Sequence, residues 1–342
     1  HHSMPHDTGD AEHYVVSAFY IFARIESPET LRKTLLRLVG RFNILGTILV
    51  APEGINGTVA GFRDQTDQLF AAIREDPRLS NLQTKESCCA EAPFLRAKVK
   101  LKKEIVTMGQ PDLDPVNQAG TYVAPEDWNA LIQDPSVMLI DTRNDYEVEV
   151  GTFQGALNPE TQSFSDFPDY AARTLPENKA QKIAMFCTGG IRCEKSTAYL
   201  KSQGYAEVYH LEGGILKYLE TVPKTESLWQ GACFVFDERV AVDHQLQPAG
   251  YVQCHACRRP LTDADLTLAS YKRGLSCRHC IGQLTPHQQA RFAEREKQVH
   301  LAKARGDAHI GDAARKDQQN RKARKVALKA SQSAQPARSR TP

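Results

Sequence analysis

Ile183-Ala184-Met185-Phe186-Cys187-Thr188-Gly189-Gly190-Ile191-Arg192-Cys193 passes from an apolar strand to a helix through one short connection. Ile183 to Phe186 carries no polar side chain, as a strand buried on both faces requires, and Cys193 to Gln203 reads as a helix stopped by Gly204. The connection, Cys187 to Arg192, has six residues, two of them glycine. A loop between a strand end and a helix start turns backbone N–H groups inward, and the helix dipole adds partial positive charge, so an anion is stabilised there. That anion can be the Cys187 thiolate, whose pKa is expected to fall from roughly 8.5 toward neutrality or below. Arg192 adds a permanent charge, and Gly189 and Gly190 let the backbone curl around the sulfur. The loop has room for a thiolate bearing one more sulfur, or for a small oxyanion. Taken alone, the pattern describes a small buried cysteine equally well.

The flanking sequence supplies context. Val137 to Asp141, Lys182 to Phe186 and Glu207 to Leu211 are short apolar runs, each followed by helix-compatible sequence, which predicts a parallel sheet covered on both faces. Active groups then belong at the carboxyl ends of the strands, where Cys187 falls. Upstream, Tyr14 to Ala23 reads as a strand. Ser27-Pro28-Glu29 supplies an N-cap, a first-turn proline and an acidic first turn for a helix to about Arg41, with Leu31, Leu35, Leu38 and Val39 at helical spacing. Gly46 to Val50 and Thr58 to Gly61 are strands around a tight Ala51-to-Gly57 connection. A helix with Leu69, Phe70 and Ile73 on one face follows, and alternation resumes from Ala97 to Val106. That order, βαββαβ, is the ferredoxin-like plan.

The expected organisation is therefore multidomain, α/β and α+β. Residues 1–13 are an N-terminal stretch whose His1-His2-Ser3 resembles an expression tag. Residues 14–108 are a ferredoxin-like platform, 109–119 a linker, 120–225 the parallel α/β domain, 226–285 a cysteine module and 286–342 a basic tail, helical and then disordered. In the module, Cys254-His255-Ala256-Cys257 and Cys277-Arg278-His279-Cys280 are separated by 19 residues, the sequence form of a closed tetrahedral zinc site with thiolate ligands. A redox pair is the competing reading, but neither pair opens a helix in a βαβ unit. His255 and His279 are spare candidates. Cys88, Cys89 and Cys233 lack a companion pattern.

Charge is unevenly distributed. From Pro286 onward 14 Lys/Arg face 5 Asp/Glu, a net of +9, leaving −7 for everything before. This fits a polyanionic partner more than a membrane, since no apolar stripe accompanies the charge; a solvated tail without a partner is the alternative. No apolar stretch approaches the roughly 20 residues of a membrane helix, and nine cysteines in 342 residues are too few for a disulfide scaffold. A cytoplasmic protein is expected.

Ile140-Asp141-Thr142-Arg143 with Tyr146-Glu147, then Gly151 to Asn158, then the Cys187 loop, then Leu211-Glu212-Gly213-Gly214-Ile215, resembles the ordered signature of a rhodanese domain over about residues 120 to 225. The resemblance implies a persulfide on Cys187 with Arg192 closing the loop, and Asp141 and Arg143 as scaffold residues. Related phosphatase domains have a loop one residue longer, which implies sulfur or small-atom chemistry here. With Glu53-Gly54-Ile55-Asn56-Gly57, the extension Cys193-Glu194-Lys195 and the run Phe234-Val235-Phe236-Asp237-Glu238-Arg239, the chain is similar over about residues 14 to 282 to the oxygen-dependent tRNA uridine hydroxylase family. That similarity implies hydroxylation of C5 of the wobble uridine, with dioxygen as co-substrate and no tightly bound organic cofactor. The partner it implies is the tRNA anticodon loop, met by the platform and the basic tail, whose charge would attract phosphates. A wobble base is already unpaired, so presenting it costs little. A thiolate adding at C6 would activate C5, and Cys193 could resolve an oxidised Cys187 or be an ordinary buried helical cysteine. A persulfide sulfurtransferase is the alternative, and a non-enzymatic RNA- or protein-binding adaptor the third.

Overall fold

Strand β1 (Tyr14–Phe22) turns successive side chains to the two faces of a sheet that organises the N-terminal half. The structure, a computed structural model, describes residues 13–110 and 112–304; the expectations for the tag and for residues 305–342 lie outside them. Helix α1 (Pro28–Arg41), β2 (Leu45–Ala51), β3 (Gly54–Gly61), α2 (Arg63–Arg74), β4 (Gln83–Cys89) and β5 (Ala97–Leu101) complete a five-stranded sheet of order β4-β1-β3-β2-β5. Because side chains point to opposite faces with period 2, Phe19 joins Ile48, Ile55 and Val59 on the face that α1 and α2 cover with Leu31, Leu35, Leu69 and Phe70. Tyr20 and Ala18, with their cross-strand neighbours Asn56, Thr58 and Lys85, fall on the other face, which no platform helix covers.

Three local expectations are corrected. The strand that closes βαββαβ is β4, antiparallel to β1, while Ala97–Leu101 is an additional strand parallel to β2. Only Pro52 and Glu53 turn the chain between β2 and β3; Gly54-Ile55-Asn56-Gly57 is strand. Gly57 is needed for space, since a Cβ there would lie 2.7 Å from both Phe19 Cζ and Thr47 O. Ser27 precedes α1, but its side chain makes no capping bond.

Short α3 (Pro115–Gln118) leads into the second domain through β6 (Thr121–Val123), α4 (Pro125–Ile132), β7 (Val137–Asp141), α5 (Asp145–Val150), β8 (Gly151–Phe153), α6 (Phe167–Thr174), β9 (Lys182–Phe186), α7 (Ile191–Ser202), β10 (Val208–Leu211) and α8 (Gly214–Thr221). Its sheet, β6-β10-β9-β7, is parallel throughout. Apolar residues cover both faces: Ile183 and Met185 pack with α6 and Tyr205, Ala184 and Phe186 with Trp128, Phe153 and Tyr218. Beyond it, β11 (Trp229–Gly231) pairs with β8, and β12 (Cys233–Phe234) with β13 (Ala241–Val242). The cysteine module holds β14 (Val252–Gln253), β15 (Pro260–Leu261) and α9 (Asp263–Leu266), and α10 (Pro286–Ala304) follows. The first part of the expected tail is thus an ordered helix whose Phe292 and Ala302 are buried and whose Arg295 donates to the His255 carbonyl. Among the described residues no helix is long and apolar enough to cross a membrane.

Candidate active site

Cys187 stands at the carboxyl end of β9, with its sulfur fully buried and the Gly190 N–H donating to it at 3.1 Å. The loop proper is shorter than the expected six residues, because Ile191 and Arg192 already belong to α7, and Gly190, at φ +101°, turns the chain into that helix. A second glycine turn supports it from below. Gly214 holds φ +68°, and a Cβ there would meet Thr188 O at 2.5 Å and both Cys187 O and Gly190 N at 2.7 Å, so only glycine lets α8 approach. The Ile215 and Leu216 N–H groups donate to the Cys187 and Thr188 carbonyls at 3.0 and 3.1 Å, fixing the loop backbone on the α8 start.

Burial on its own would raise the Cys187 thiol. The Cys193 thiol, the Arg192 charge and the backbone N–H groups of Cys193 and Gly190 outweigh it, bringing Cys187 from its ordinary 9.0 down to about 6. Cys193, also fully buried, is pushed well above 9.0 by burial and by Cys187 beside it, and its sulfur lies 3.7 Å from Thr142 Oγ1. Of the two cysteines, Cys187 is therefore the one favoured as the anion.

Arg192 does not face the loop as an unpaired charge. Both terminal nitrogens reach the fully buried Glu147 carboxylate, at 2.7 and 2.9 Å, and Nη2 also meets Thr188 Oγ1 at 3.1 Å. The Tyr146-Glu147 motif by itself assigns Glu147 no role; the structure makes it the counter-charge of Arg192. Asp141 and Arg143 form a separate, fully buried pair: Arg143 Nε and Nη2 donate to the Asp141 carboxylate at 2.9 and 2.7 Å, and Nη2 also to Gly151 O at 2.6 Å. Thr152 Oγ1 adds a donor to Asp141 at 2.8 Å. The pair ties β7 to β8 beneath the site.

The uncovered face of the platform sheet roofs the loop. Lys85 Nζ donates to Gly189 O at 2.7 Å and lies 4.6 Å from the centre of the Tyr20 ring; burial lowers its pKa to about 8. Tyr20 Oη donates to Glu194 at 2.8 Å, and Tyr122 donates to the other oxygen of the same carboxylate. Burial raises the Glu194 pKa against those two donors. One residue further on, Lys195 Nζ meets Glu53 at 2.9 Å, Glu104 at 2.8 Å and Val106 O at 2.8 Å, with only 2% of the lysine exposed. The first turn of α7 is thus clamped to both domains.

Between roof and loop lies a cavity of about 290 Å³, walled by Tyr20, Asn56 and Lys85 above, Thr188 and Gly189 below, and Phe236 at the side. Cys187 itself is fully buried and is not among the residues that wall the cavity, whereas Thr188, Gly189, Ile191 and Arg192 of its loop are. Tyr20, Lys85 and Phe236 escaped sequence reasoning because each sits far along the chain from Cys187. The Phe234-to-Arg239 run was the one signal that could have pointed to Phe236.

Apart from the loop, Cys254, Cys257, Cys277 and Cys280 bring their sulfurs within 4.8 Å of one another. A tetrahedral zinc at about 2.3 Å from each sulfur needs sulfurs about 3.8 Å apart, and the separations of 4.0, 3.6 and 3.8 Å match it. The Cys277 and His279 N–H groups point at the Cys280 and Cys277 sulfurs, at 3.3 and 3.4 Å, as they would toward thiolates. The four residues fit one zinc ion.

Residues 14–105 match the family described as UPF0176 acylphosphatase like domain, and residues 124–221 match the rhodanese-like domain. The chain therefore joins an acylphosphatase-like domain to a rhodanese-like one. Among solved structures it is similar to the rhodanese-like domain of an Anabaena protein, at 19% identity over 32% of this chain and 78% of that one (TM-score 0.28). It is also similar to a rhodanese-like domain protein of Staphylococcus aureus, at 22% identity over 29% and 90% (TM-score 0.25). A third is the human single-domain sulfurtransferase, at 24% over 31% and 99% (TM-score 0.26).

Proposed function

We propose that this chain is a cytoplasmic tRNA-modifying enzyme that hydroxylates C5 of the wobble uridine with dioxygen, using sulfur carried by Cys187. The observation that carries the reading is the composite cavity: a low-pKa cysteine loop is roofed by a second domain and by Phe236. Sulfur transfer to a small acceptor needs no such roof, whereas an unpaired base needs a walled slot beside the reactive group.

In the proposed chemistry sulfur adds to C6 of the uracil ring, and the electron pair moves onto the C5–C4 enolate. Dioxygen bonds to C5, and an external two-electron donor reduces the outer oxygen to water. Loss of the C5 proton and departure of sulfur from C6 then restore the ring as 5-hydroxyuridine. Because Cys187 is fully buried, this reading assigns the addition to the outer sulfur of a persulfide, about 2 Å further from the backbone, installed beforehand by transfer from a sulfane-sulfur donor.

A persulfide sulfurtransferase is the second reading, favoured by the rhodanese-like domain and by the name of the human relative. Incubation with tRNA, a reductant and air, followed by mass spectrometry of the nucleosides, separates the two. The hydroxylase reading expects 5-hydroxyuridine from the native chain and none from Cys187→Ser, which still binds tRNA. Thiocyanate from cyanide and thiosulfate without 5-hydroxyuridine would establish the second reading instead.

A further inference from the structure

The turn after β12 holds an aromatic ring out of its own core. Phe236 is 62% exposed, while Phe234, two residues earlier, is 2% exposed. The exposure is built in. Phe236 meets Phe234 edge to face, with ring centres 5.0 Å apart, and Phe234 meets Tyr146 in the same way at 5.2 Å.

On the other flank, Arg239 Nε and Nη2 donate to the Asp237 carboxylate at 2.9 and 2.6 Å, and Nη1 donates to Ser87 Oγ of β4 at 2.7 Å. The Glu238 N–H donates to Pro93 O at 2.8 Å, and the turn closes through the Val235 N–H on Val240 O at 2.9 Å. A ring fixed in advance gives up little entropy when something lands on it.

The surroundings say what lands there. Phe236 walls the cavity of about 290 Å³ beside the Cys187 loop, close to the lower end of the ~300–1,000 Å³ range of small-molecule sites. The Arg192 guanidinium carbon lies 6.0 Å from its ring centre. Across the cavity, Asn56 spends its amide N–H on Ile105 O at 2.9 Å, which leaves its carbonyl oxygen as an acceptor for an N–H edge. Lys85 places a cationic head in the same wall. An aromatic face, an edge acceptor and the Lys85 cation around a cavity of this size are the features that hold an unpaired base of a polyanionic strand.

We propose that Phe236 is the stacking platform for one unpaired pyrimidine base of single-stranded RNA, a positioning residue that holds the ring over the Cys187 loop. This rests on the RNA-modifying reading and adds to it the side chain that seats the base.

The test uses the full chain and an anticodon stem-loop RNA with a terminal dye and fluorescent thieno-uridine at the wobble position. The native protein raises dye polarisation and changes the emission of the base. Phe236→Ala, and Phe236→Leu, which keeps an apolar contact to Phe234 without an aromatic face, retain the polarisation signal but lose the emission change. Their KM for hydroxylation of unlabelled RNA rises roughly tenfold, the scale of one base–aromatic stack, and Phe236→Trp restores both readouts. An unchanged emission response and KM in the Ala and Leu variants overturn the proposal. A native protein that hydroxylates RNA without any emission change overturns the stacking alone; one that neither binds nor hydroxylates overturns the stacking and the reading beneath it.

Discussion

Ionisation at Cys187 depends on groups within two turns of chain, and each can be altered singly. With its pKa near 6, the thiolate absorbance of native protein minus Cys187→Ser should appear as pH rises through about 6, not 9. Because the folded-state value lies below the ordinary one, the site favours folding most fully above pH 9 and loses that contribution as pH falls toward 6. The Arg192–Glu147 pair behaves differently, being buried on both sides. Glu147→Gln leaves the guanidinium without a counter-charge, and breaking a buried pair in this way costs ~3–5 kcal/mol. Urea denaturation should show that loss, and a loss under 1 kcal/mol would mean that Arg192 had found water or another anion. Of these partners, Cys187 and Arg192 stand five residues apart and were legible together. Glu147 was legible only as a motif letter, because nothing in spacing says which charge a distant helix will present.

At the scale of elements, α7 explains most of what sequence reasoning missed. Arg192, Glu194, Lys195, Ser196 and Thr197 are all buried, so the helix has no solvated polar face and no amphipathic period to read. Their partners lie far along the chain, Arg192 on Glu147, Glu194 on Tyr20 and Tyr122, and Lys195 on Glu53 and Glu104, a tertiary fact. Strand β4 was overlooked for the same reason. Gln83-Thr84-Lys85-Glu86-Ser87 has no apolar alternation, since its inward residues Lys85 and Ser87 face the site and Arg239 instead of a core. By contrast β7, β9 and β10, buried on both faces by hydrocarbon, were legible to within a residue. The α8 turn yields a test at this scale. Gly214→Ala must place a side chain at φ +68° against the Thr188 carbonyl, at a cost of ~1–2 kcal/mol for the backbone alone. The expected result is a folded protein by circular dichroism in which the thiolate absorbance shifts to higher pH; an unshifted titration would show that α8 does not set the loop.

Across the whole molecule, the two domains and the Phe236 turn meet around one cavity, the cysteine module docks beside them, and charged side chains make the joints. Lys195 clamps platform to rhodanese-like domain through Glu53 and Glu104, Arg239 holds the Phe236 turn to β4, and Arg278 ties the module to Glu149 at 2.8 Å. The pairs of cysteines were legible because metal ligation fixes spacing in the chain itself. The joints were not, because each partner lies dozens of residues from the other. If zinc holds the module, elemental analysis finds one zinc per chain, and chelation exposes residues 251–284 to protease while the Cys187 titration stays in place; protection unchanged by chelation would contradict a metal role. The central claim, that sulfur at Cys187 drives oxygen insertion into a wobble uridine, is tested most directly with ¹⁸O₂. Mass spectrometry of nucleosides from tRNA treated with the native chain should show 5-hydroxyuridine carrying one heavy oxygen, and Cys187→Ser should yield none; labelled product from Cys187→Ser, or unlabelled product from the native chain, would contradict it.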